Sequence, residues 1–505
     1  MARPSAASAG ITHSAASEPI VADSARQPAG SLARAPSFSM LRRVTARSSC
    51  SRTAVCRRNR PANTAHITRN CQLAIYCFPL KSITHHGLPI TDYVTELSPI
   101  SPDRGTYPIV RVAMIGPFGL HPKQTMRSRA LPLAKELTRR GHQVCLFMPP
   151  WHTPAEADKT WQEDGVTLRY VSLRGGVPGI TWQLIREVLA WKPDVVHGFK
   201  PKAYSGLTLW WLWQFHRHRV RIVLDTDDWE GWGGWNEREP YTAVQKHFFA
   251  WQERWGLTHC HALTVASRAL QTIALSRGIP VERVVYVPNG PGISEQYAVS
   301  GEQFSGNSLP LTADRSLLTS HRPTLLLYSR FFEFEVSRLA AIFQGVHTAV
   351  PQLQILLVGQ SLFDADAAQF QQLLAVGGVL EAITDLGWVE PEKLPEILAQ
   401  ADVGIYLMED TLLNRTKCPV KLADMLAVGL PVVAEAVGQV SEYVVHGRTG
   451  LLRPSGDVEG LVADLVHLLQ NPAERQRLSE GALAHIQTHF TWEKLAALLM
   501  TAYSH

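Results

Sequence analysis

Lys417 and Lys421 flank Pro419 just ahead of an amphipathic run, Leu422 to Val428, which Gly429, Leu430 and Pro431 end before the apolar stretch Val432 to Ala434. Proline before such a run and glycine after it mark the two ends of a helix. A helix start exposes unpaired N–H groups and the positive end of the peptide dipoles, so ammonium groups beside it make an anion site. Arg330 follows another apolar run, Thr324 to Tyr328, and a guanidinium there can grip phosphate oxygens through two parallel hydrogen bonds. Two carboxylates lie close in sequence. Asp424 is the third residue after Lys421, and Glu409 follows the apolar run Val403 to Leu407. A solvated lysine or an exposed helical aspartate would look the same at this level.

A second cluster is acidic. The segment Asp225 to Trp235, DTDDWEGWGGW, follows the apolar run Arg221 to Leu224. Crowded carboxylates repel one another, which raises one or more pKa values towards the range useful for a general base and makes Asp227 and Asp228 candidates for handling an acceptor's proton. Oxygen ligands so close together also suit a divalent cation, and a helix cap with a solvated loop is the plain structural alternative. His197 ends the run Lys192 to His197 and is a third candidate, as a group reaching a cleft or as a satisfied core histidine. Gly116 and Gly119 follow the run Val110 to Ile115 and let backbone approach a ligand, with Lys123, Arg127 and Arg129 adding positive charge. No G-x-G-x-x-G is present, which argues against a nicotinamide site.

These residues share a placement: each follows a short apolar run. The runs read as buried strands alternating with helices, at Val110–Ile115, Val144–Met148, Val166–Val171, Val195–His197, Arg221–Leu224, Ala262–Ala266 and Val284–Val287. A Ser-, Gly-, Leu- and Thr-rich stretch follows, and the alternation restarts with strands at Thr324–Tyr328, Gln354–Val358, around Ala382–Gly387, Val403–Leu407 and Val432–Ala434. The fold class is therefore α/β, with two doubly wound Rossmann-like domains facing a central cleft. Ligands of such folds bind outside the carboxyl ends of the strands. The expected boundaries are an extension over 1–107, an N-terminal domain over 108–300, a linker over 301–322, a C-terminal domain over 323–485, and a last helix over 486–505 crossing back to the first domain.

The net charge of +5 is uneven. Residues 1–107 hold 13 Lys/Arg against 5 Asp/Glu, a charge of +8, which leaves −3 for the rest. With no acid between Asp23 and Asp92 and no clear period, that extension is expected to be disordered. It is similar to an organelle transit peptide, and equally to sequence upstream of a misassigned start codon, the reading preferred here because the first strand begins so abruptly. A nucleic-acid role is excluded, since the positive charge is not patterned on a folding face. The seven cysteines lack paired spacing, which excludes a disulfide framework or zinc site and suits the cytoplasm. No run approaches the ~20 apolar residues needed to span a bilayer. Trp210, Trp211 and Trp213 beside His216, Arg217, His218 and Arg219 suit a resting contact with a membrane surface or a buried helix end.

With these elements in order, the chain resembles a GT-B glycosyltransferase, closest in pattern to glycosyltransferase family 4, over about Ile109 to Tyr503. The resemblance rests on GPFGLHPKQTMRSRALPLAKELTRRGHQV, KPDVVH, VVYVPNG, LLLYSR, ILLVG, ADVGIYL, VKLADMLAVGLPVVA and GRTGLLRPSGD taken together. It implies an acceptor-binding first domain and a second domain holding a nucleoside-diphosphate sugar, with no metal and no further cofactor. It also implies a glycan, lipid-linked or small-molecule hydroxyl acceptor and retained anomeric configuration. Arg330 matches the family's diphosphate arginine, whereas Glu335 stands where a lysine is usual, so Lys417 or Lys421 takes that part. Asp424 matches the second of a carboxylate pair that meets sugar and ribose, Thr416 stands at the first, and Glu409 is the alternative sugar contact. Two other readings fit the departures: a catalytically degenerate sugar-nucleotide-binding protein, and a GT-B sugar-nucleotide epimerase.

Overall fold

The computed structural model describes residues 108–121, 125–293 and 322–504, all within one compact unit, Ser101–His505. The extension over 1–107, Lys123 and nearly all of the 301–322 linker lie outside the described residues.

Two sheets organise the unit. The N-terminal lobe has eight strands: β1 Arg111–Ile115, β2 Gln143–Met148, β3 Thr160–Glu163, β4 Val166–Tyr170, β5 Val195–Phe199, β6 Arg221–Thr226, β7 Ala262–Val265 and β8 Val284–Tyr286. Their order is β3-β4-β2-β1-β5-β6-β7-β8, and only the β3–β4 pair is antiparallel. The C-terminal lobe has six parallel strands: β9 Thr324–Tyr328, β10 Gln354–Val358, β11 Ile383–Asp385, β12 Val403–Tyr406, β13 Val432–Glu435 and β14 Gly450–Arg453, in the order β11-β10-β9-β12-β13-β14. Parallel strands need a crossover that returns over one face, so both faces are covered. That is why these strands read as unbroken apolar runs. In β1, Val112 and Met114 enter one core while Ala113 and Ile115 enter the other; in β9, Leu325 and Leu327 divide from Leu326 in the same way.

Helix boundaries follow local signals. The helix Val420–Ala427 is closed by Gly429 at φ +74°, a left-handed conformation that glycine tolerates. Between β11 and β12 runs a short helix, Leu394–Leu398, with Pro395 in its first turn. The short antiparallel β3, Trp161 apart, offers half-exposed polar residues and gave no apolar run to read.

The chain's last helix, Trp492–Ser504, packs on the N-terminal lobe, where Leu495, Leu499 and Tyr503 join the core under β1, β5 and β6. The crossing is made at Phe490–Trp492 and seals onto Gly290, where an added Cβ would lie 2.8 Å from the Phe490 carbonyl oxygen. Trp492 Nε1 donates to the Pro291 carbonyl at 2.7 Å.

His197 corrects an expectation here. It is fully buried in β5, hydrogen-bonded through Nδ1 to the Tyr503 hydroxyl at 2.9 Å and through Nε2 to Thr264 Oγ1 at 3.2 Å, so it ties the last helix to the sheet and does not reach an open cleft. Burial, with help from the nearby Arg129 charge, pushes its pKa from 6.5 down to about 3. A histidine kept neutral when folded but protonated when unfolded costs stability as pH falls through the unfolded value. Urea unfolding should therefore show stability dropping by up to about 1.4 kcal/mol per pH unit below pH 6.5 from this group alone. In His197→Asn that component of the slope should vanish; an unchanged slope in the variant would remove the assignment.

Candidate functional site

The lobes meet along a belt of hydrogen bonds at the carboxyl ends of both sheets. Ser267 Oγ donates to the Thr416 carbonyl at 2.7 Å, and Asn289 Nδ2 donates to the Cys418 carbonyl at 3.2 Å. The Tyr443 hydroxyl donates to the Asn289 carbonyl at 2.6 Å, and Tyr286 to Glu442 at 2.6 Å. Asp424 belongs to this belt, which corrects its expected role. Its Oδ1 accepts from the Gly292 and Ile293 N–H groups at 2.6 and 3.1 Å, and the side chain is 2 % exposed, so it is not free to meet a ribose. Burial raises its pKa to about 7 against the pull of those amides and of Lys421.

Beside the belt lies a cationic group. Arg330, two residues beyond the end of β9, is exposed and has no ion-pair partner among the described residues. Lys421 stands in the first turn of the Val420–Ala427 helix, whose start carries no side-chain cap, so its leading amides are available to an anion. Burial first, and then the charges of Lys417 and Arg330, push the Lys421 ammonium down to about 8 against the opposing pull of Glu333. Arg330, Lys417 and Lys421 are thus brought together.

Lys417 is already partnered. Its ammonium donates to Glu333 Oε1 at 2.8 Å and sits 4.0 Å from the centre of the Phe332 ring. Burial raises the Glu333 carboxyl, but Lys417 and Lys421 outweigh it and hold the group near 2. Sequence analysis did not single out Glu333 as a site residue. The signal that could have found it is its place at the carboxyl end of β9, three residues after Arg330. Glu409 is half-buried, its N–H donating to the Glu333 carbonyl at 2.8 Å, so it braces the same loop. Thr416, buried, donates its hydroxyl to the Leu412 and Leu413 carbonyls and faces its own helix.

The N-terminal lobe faces these groups with the segment after β6. The Trp235 ring lies 5.1 Å from that of Phe332, and Lys417 Nζ is 5.9 Å from the Trp235 centroid. The acidic cluster does repel itself, since Asp227 and Glu230 both help to raise Asp228 as expected, but it is interleaved with lysines that the sequence did not bring to it. Lys200 Nζ lies 3.2 Å from Asp227, 3.0 Å from Asp228 and 3.1 Å from Glu230, and Lys202 also binds Glu230. Burial would raise Glu230, yet the two lysines hold it near 2. Asp228 moves the other way, raised by burial despite Lys200 and the Lys417 charge across the gap. Lysines thus stand where a cation would have been needed. Among the described residues no group of three or more His, Cys, Asp or Glu is arranged to hold a metal ion.

Two glycines and an arginine complete the floor. A Cβ on Gly116 would meet Met126 Sδ at 2.6 Å, and one on Gly119 would meet the Tyr170 hydroxyl at 3.1 Å, so both are needed for close packing of the loop after β1. Arg129 was expected to add positive charge; it is instead buried and neutralised by Asp225, at 2.8 and 2.7 Å. Arg127 is partly exposed and bridges to Glu392 of the other lobe at 3.6 Å.

The chain is similar to known proteins along its described length. Residues 124–290 match the family model described as a glycosyl transferase 4-like domain, and residues 322–471 that described as glycosyl transferases group 1. The phosphatidyl-myo-inositol mannosyltransferase of Mycobacterium leprae (strain TN) is 25 % identical over 78 % of this chain and 96 % of its own length. A GDP-mannose-dependent alpha-mannosyltransferase of Mycobacterium tuberculosis (strain CDC 1551 / Oshkosh) is 26 % identical over 74 % of this chain and 91 % of its own. The amylovoran biosynthesis glycosyltransferase AmsK of Erwinia amylovora is 30 % identical, but the match covers only 26 % of this chain and 34 % of that protein. Among solved structures, the sucrose-phosphate synthase from Thermosynechococcus elongatus superposes with a TM-score of 0.60 at 18 % identity, covering 78 % of this chain and 98 % of that one, which shows the two-lobed fold.

The cationic group has a measurable signature. Inorganic pyrophosphate should bind the full chain more tightly below pH 8 than above it, because Lys421 loses its charge there. Calorimetry from pH 7 to 10 should show a loss on the order of tenfold, and Lys421→Arg should flatten it. A pH-independent affinity in the wild type would show that Lys421 is not part of the site.

Proposed function

We propose that this chain, a glycosyltransferase of the GT-B, family-4 type, transfers a hexosyl group from a nucleoside-diphosphate sugar to a hydroxyl acceptor with retention of anomeric configuration. The observation that carries the reading is the pairing of Arg330 and Lys421 at an uncapped helix start facing the gap between lobes. Cleavage of the sugar C1–O bond leaves negative charge on the departing diphosphate, and cations with amide dipoles already in place stabilise that charge without reorganising. Two relatives matched nearly end to end are named as mannosyltransferases, one of them GDP-mannose-dependent, which supports a hexose on a nucleotide.

In this mechanism Arg330 grips the phosphates by its fork, and Lys421 supplies a point charge at the leaving oxygen. The acceptor oxygen bonds to C1 on the face the diphosphate leaves. Its proton passes to the departing phosphate oxygen, and the electron pair of the broken C1–O bond stays on the phosphate. Asp228, with Lys200 beside it and Lys417 opposite, orients the acceptor hydroxyl. Neither a metal nor a further cofactor enters the scheme. The acceptor, whether glycan, lipid-linked or small, approaches over the N-terminal lobe. There Trp211 and Trp213 are partly packed on the core, and the contact with a membrane surface falls instead to Trp182 and Phe215, 55 and 62 % exposed, which flank Trp211. A cytoplasmic place of action is supported by Cys145, Cys260 and Cys418, all free and buried.

The commitment of Asp424 to backbone amides and of Thr416 to its own helix favours one rival, a protein that binds a sugar nucleotide without turning it over. Incubating the full chain with a panel of UDP- and GDP-sugars separates the readings: slow donor hydrolysis supports transfer, binding without turnover supports the rival, and sugar interconversion would indicate an epimerase. Arg330→Ala should lower donor kcat/KM on the order of 100-fold, from the loss of charged hydrogen bonds at about 1.5–3 kcal/mol each. Unaltered donor binding in that variant, or a trapped glycosyl–protein adduct in mass spectra, would overturn the scheme.

A further inference from the structure

The charges in the C-terminal lobe balance once a diphosphate is counted. Arg330, Lys417 and Lys421 carry three positive charges, and Glu333 takes up one through its 2.8 Å bond with Lys417. Two cations then remain for the two charges of a diphosphate bridge. Glu333 itself is only partly used. Its Oε1 receives Lys417, its Oε2 receives the Ser329 hydroxyl at 3.4 Å, a long contact for a buried, ionised oxygen, and its own N–H adds one more donor. A carboxylate has room for about four donors.

The segment that presents Glu333 is held with unusual care. Phe331, two residues earlier, has φ +62°, a left-handed conformation that a phenylalanine adopts only when its surroundings impose it. Those surroundings are explicit. Ser329 Oγ accepts from the Phe331 N–H at 2.9 Å, and the Glu333 carbonyl accepts from Asn414 Nδ2 at 2.8 Å and from the Glu409 N–H at 2.8 Å. The Lys417 ammonium that Glu333 binds lies 4.0 Å from the centre of the Phe332 ring and 5.9 Å from that of Trp235, one ring from each lobe. Flat aromatic faces beside a carboxylate with free lone pairs are what a sugar ring requires: apolar C–H edges on one side, hydroxyl donors on another. Of the nearby acids, Asp424 is engaged by backbone amides, Asp410 by Arg415 and Glu435 by Arg338, which leaves Glu409, half-buried on the same loop, as the competing sugar contact.

We propose that Glu333 is the residue that reads the donor's sugar, its carboxylate accepting hydrogen bonds from hydroxyls of the hexose attached to the diphosphate and so deciding which sugar is carried. This rests on the reading of the Arg330 and Lys421 group as the diphosphate site. It gives Glu333 two tasks: to hold Lys417 in place and to turn its remaining lone pairs towards the sugar.

The test compares two ligands on one protein. Calorimetric titration of the full chain with UDP and GDP, and with a panel of UDP- and GDP-hexoses, identifies the preferred pair. In Glu333→Gln, which keeps the shape and removes the charge, the preferred sugar nucleotide should weaken on the order of 10–100-fold while the free nucleoside diphosphate changes less than about threefold. Glu333→Asp keeps the charge but withdraws it by one methylene, and should alter the ranking of hexoses; it also serves if the glutamine variant unfolds. An equal loss for both ligands would reduce Glu333 to a holder of Lys417 and overturn the proposal, as would unchanged sugar-nucleotide affinity and an unchanged ranking. If the wild type binds neither nucleotides nor sugar nucleotides, the diphosphate reading itself falls and takes this assignment with it.

Discussion

A buried guanidinium must have its N–H groups matched by acceptors, and the N-terminal lobe is arranged around that demand. Arg129 is 1 % exposed; its Nε and Nη2 donate to the two oxygens of Asp225, and its Nη1 donates to Asn289 Oδ1 at 2.8 Å. Leaving one partner of such a pair alone costs roughly 3–5 kcal/mol, so the three residues are effectively one unit. That unit joins the helix after β1, the end of β6 and the turn after β8. Asp225 also accepts from Thr264 Oγ1 at 2.6 Å, and Thr264 meets His197, which meets Tyr503. A single polar chain therefore runs from Arg129, in the helix after β1, to Tyr503 in the chain's last helix, through an otherwise apolar core. The segment carrying Asp227 and Asp228 starts where this chain anchors β6.

The gap between the lobes follows the same economy of charge. Acids that would repel one another are interleaved with lysines: Glu230, Lys200 and Asp228 on one side, Lys417 and Glu333 on the other. Lys200 and Lys202 gain more from their carboxylates than they lose by burial, while Lys421, with two cations near it, does not and is the more easily deprotonated. Arg330 is exposed and unpaired among the described residues, so it and Lys421 are the groups with charge to offer a ligand.

How much of this could be read from the chain alone depends on the range of the interaction. Strands such as Thr324–Tyr328 and Val432–Glu435 were legible because burial on both faces writes an unbroken apolar run. Arg330 and Lys421 were legible because a strand end and a helix start are local signals. His197 and Asp424 were misread because their partners lie elsewhere: Tyr503 is 306 residues from His197, and Gly292 is 132 residues from Asp424. In the acidic segment after β6 the raised carboxylate was legible from the crowding, but the interleaved Lys200 was not, because it follows a different strand, 28 residues before Asp228. Residue types predict what a side chain can do, but only the fold says which of its options is already taken.

Lys417 shows why the two lobes cannot be treated as separate sites. Its ammonium is bonded within the C-terminal lobe, to Glu333, but its backbone neighbours are not free to follow that lobe alone. The Thr416 carbonyl is held by Ser267 at 2.7 Å, and Cys418 is held at both its carbonyl and its thiol by Asn289. Asn289 is in turn fixed by Arg129. The position of this cation over Phe332 and opposite Trp235 is thus set jointly by the C-terminal helix start and by the buried Arg129–Asp225 unit of the other lobe. Any separation of the lobes must break the flanking hydrogen bonds before it can move Lys417, so the charge seen by Asp228 depends on the closed arrangement.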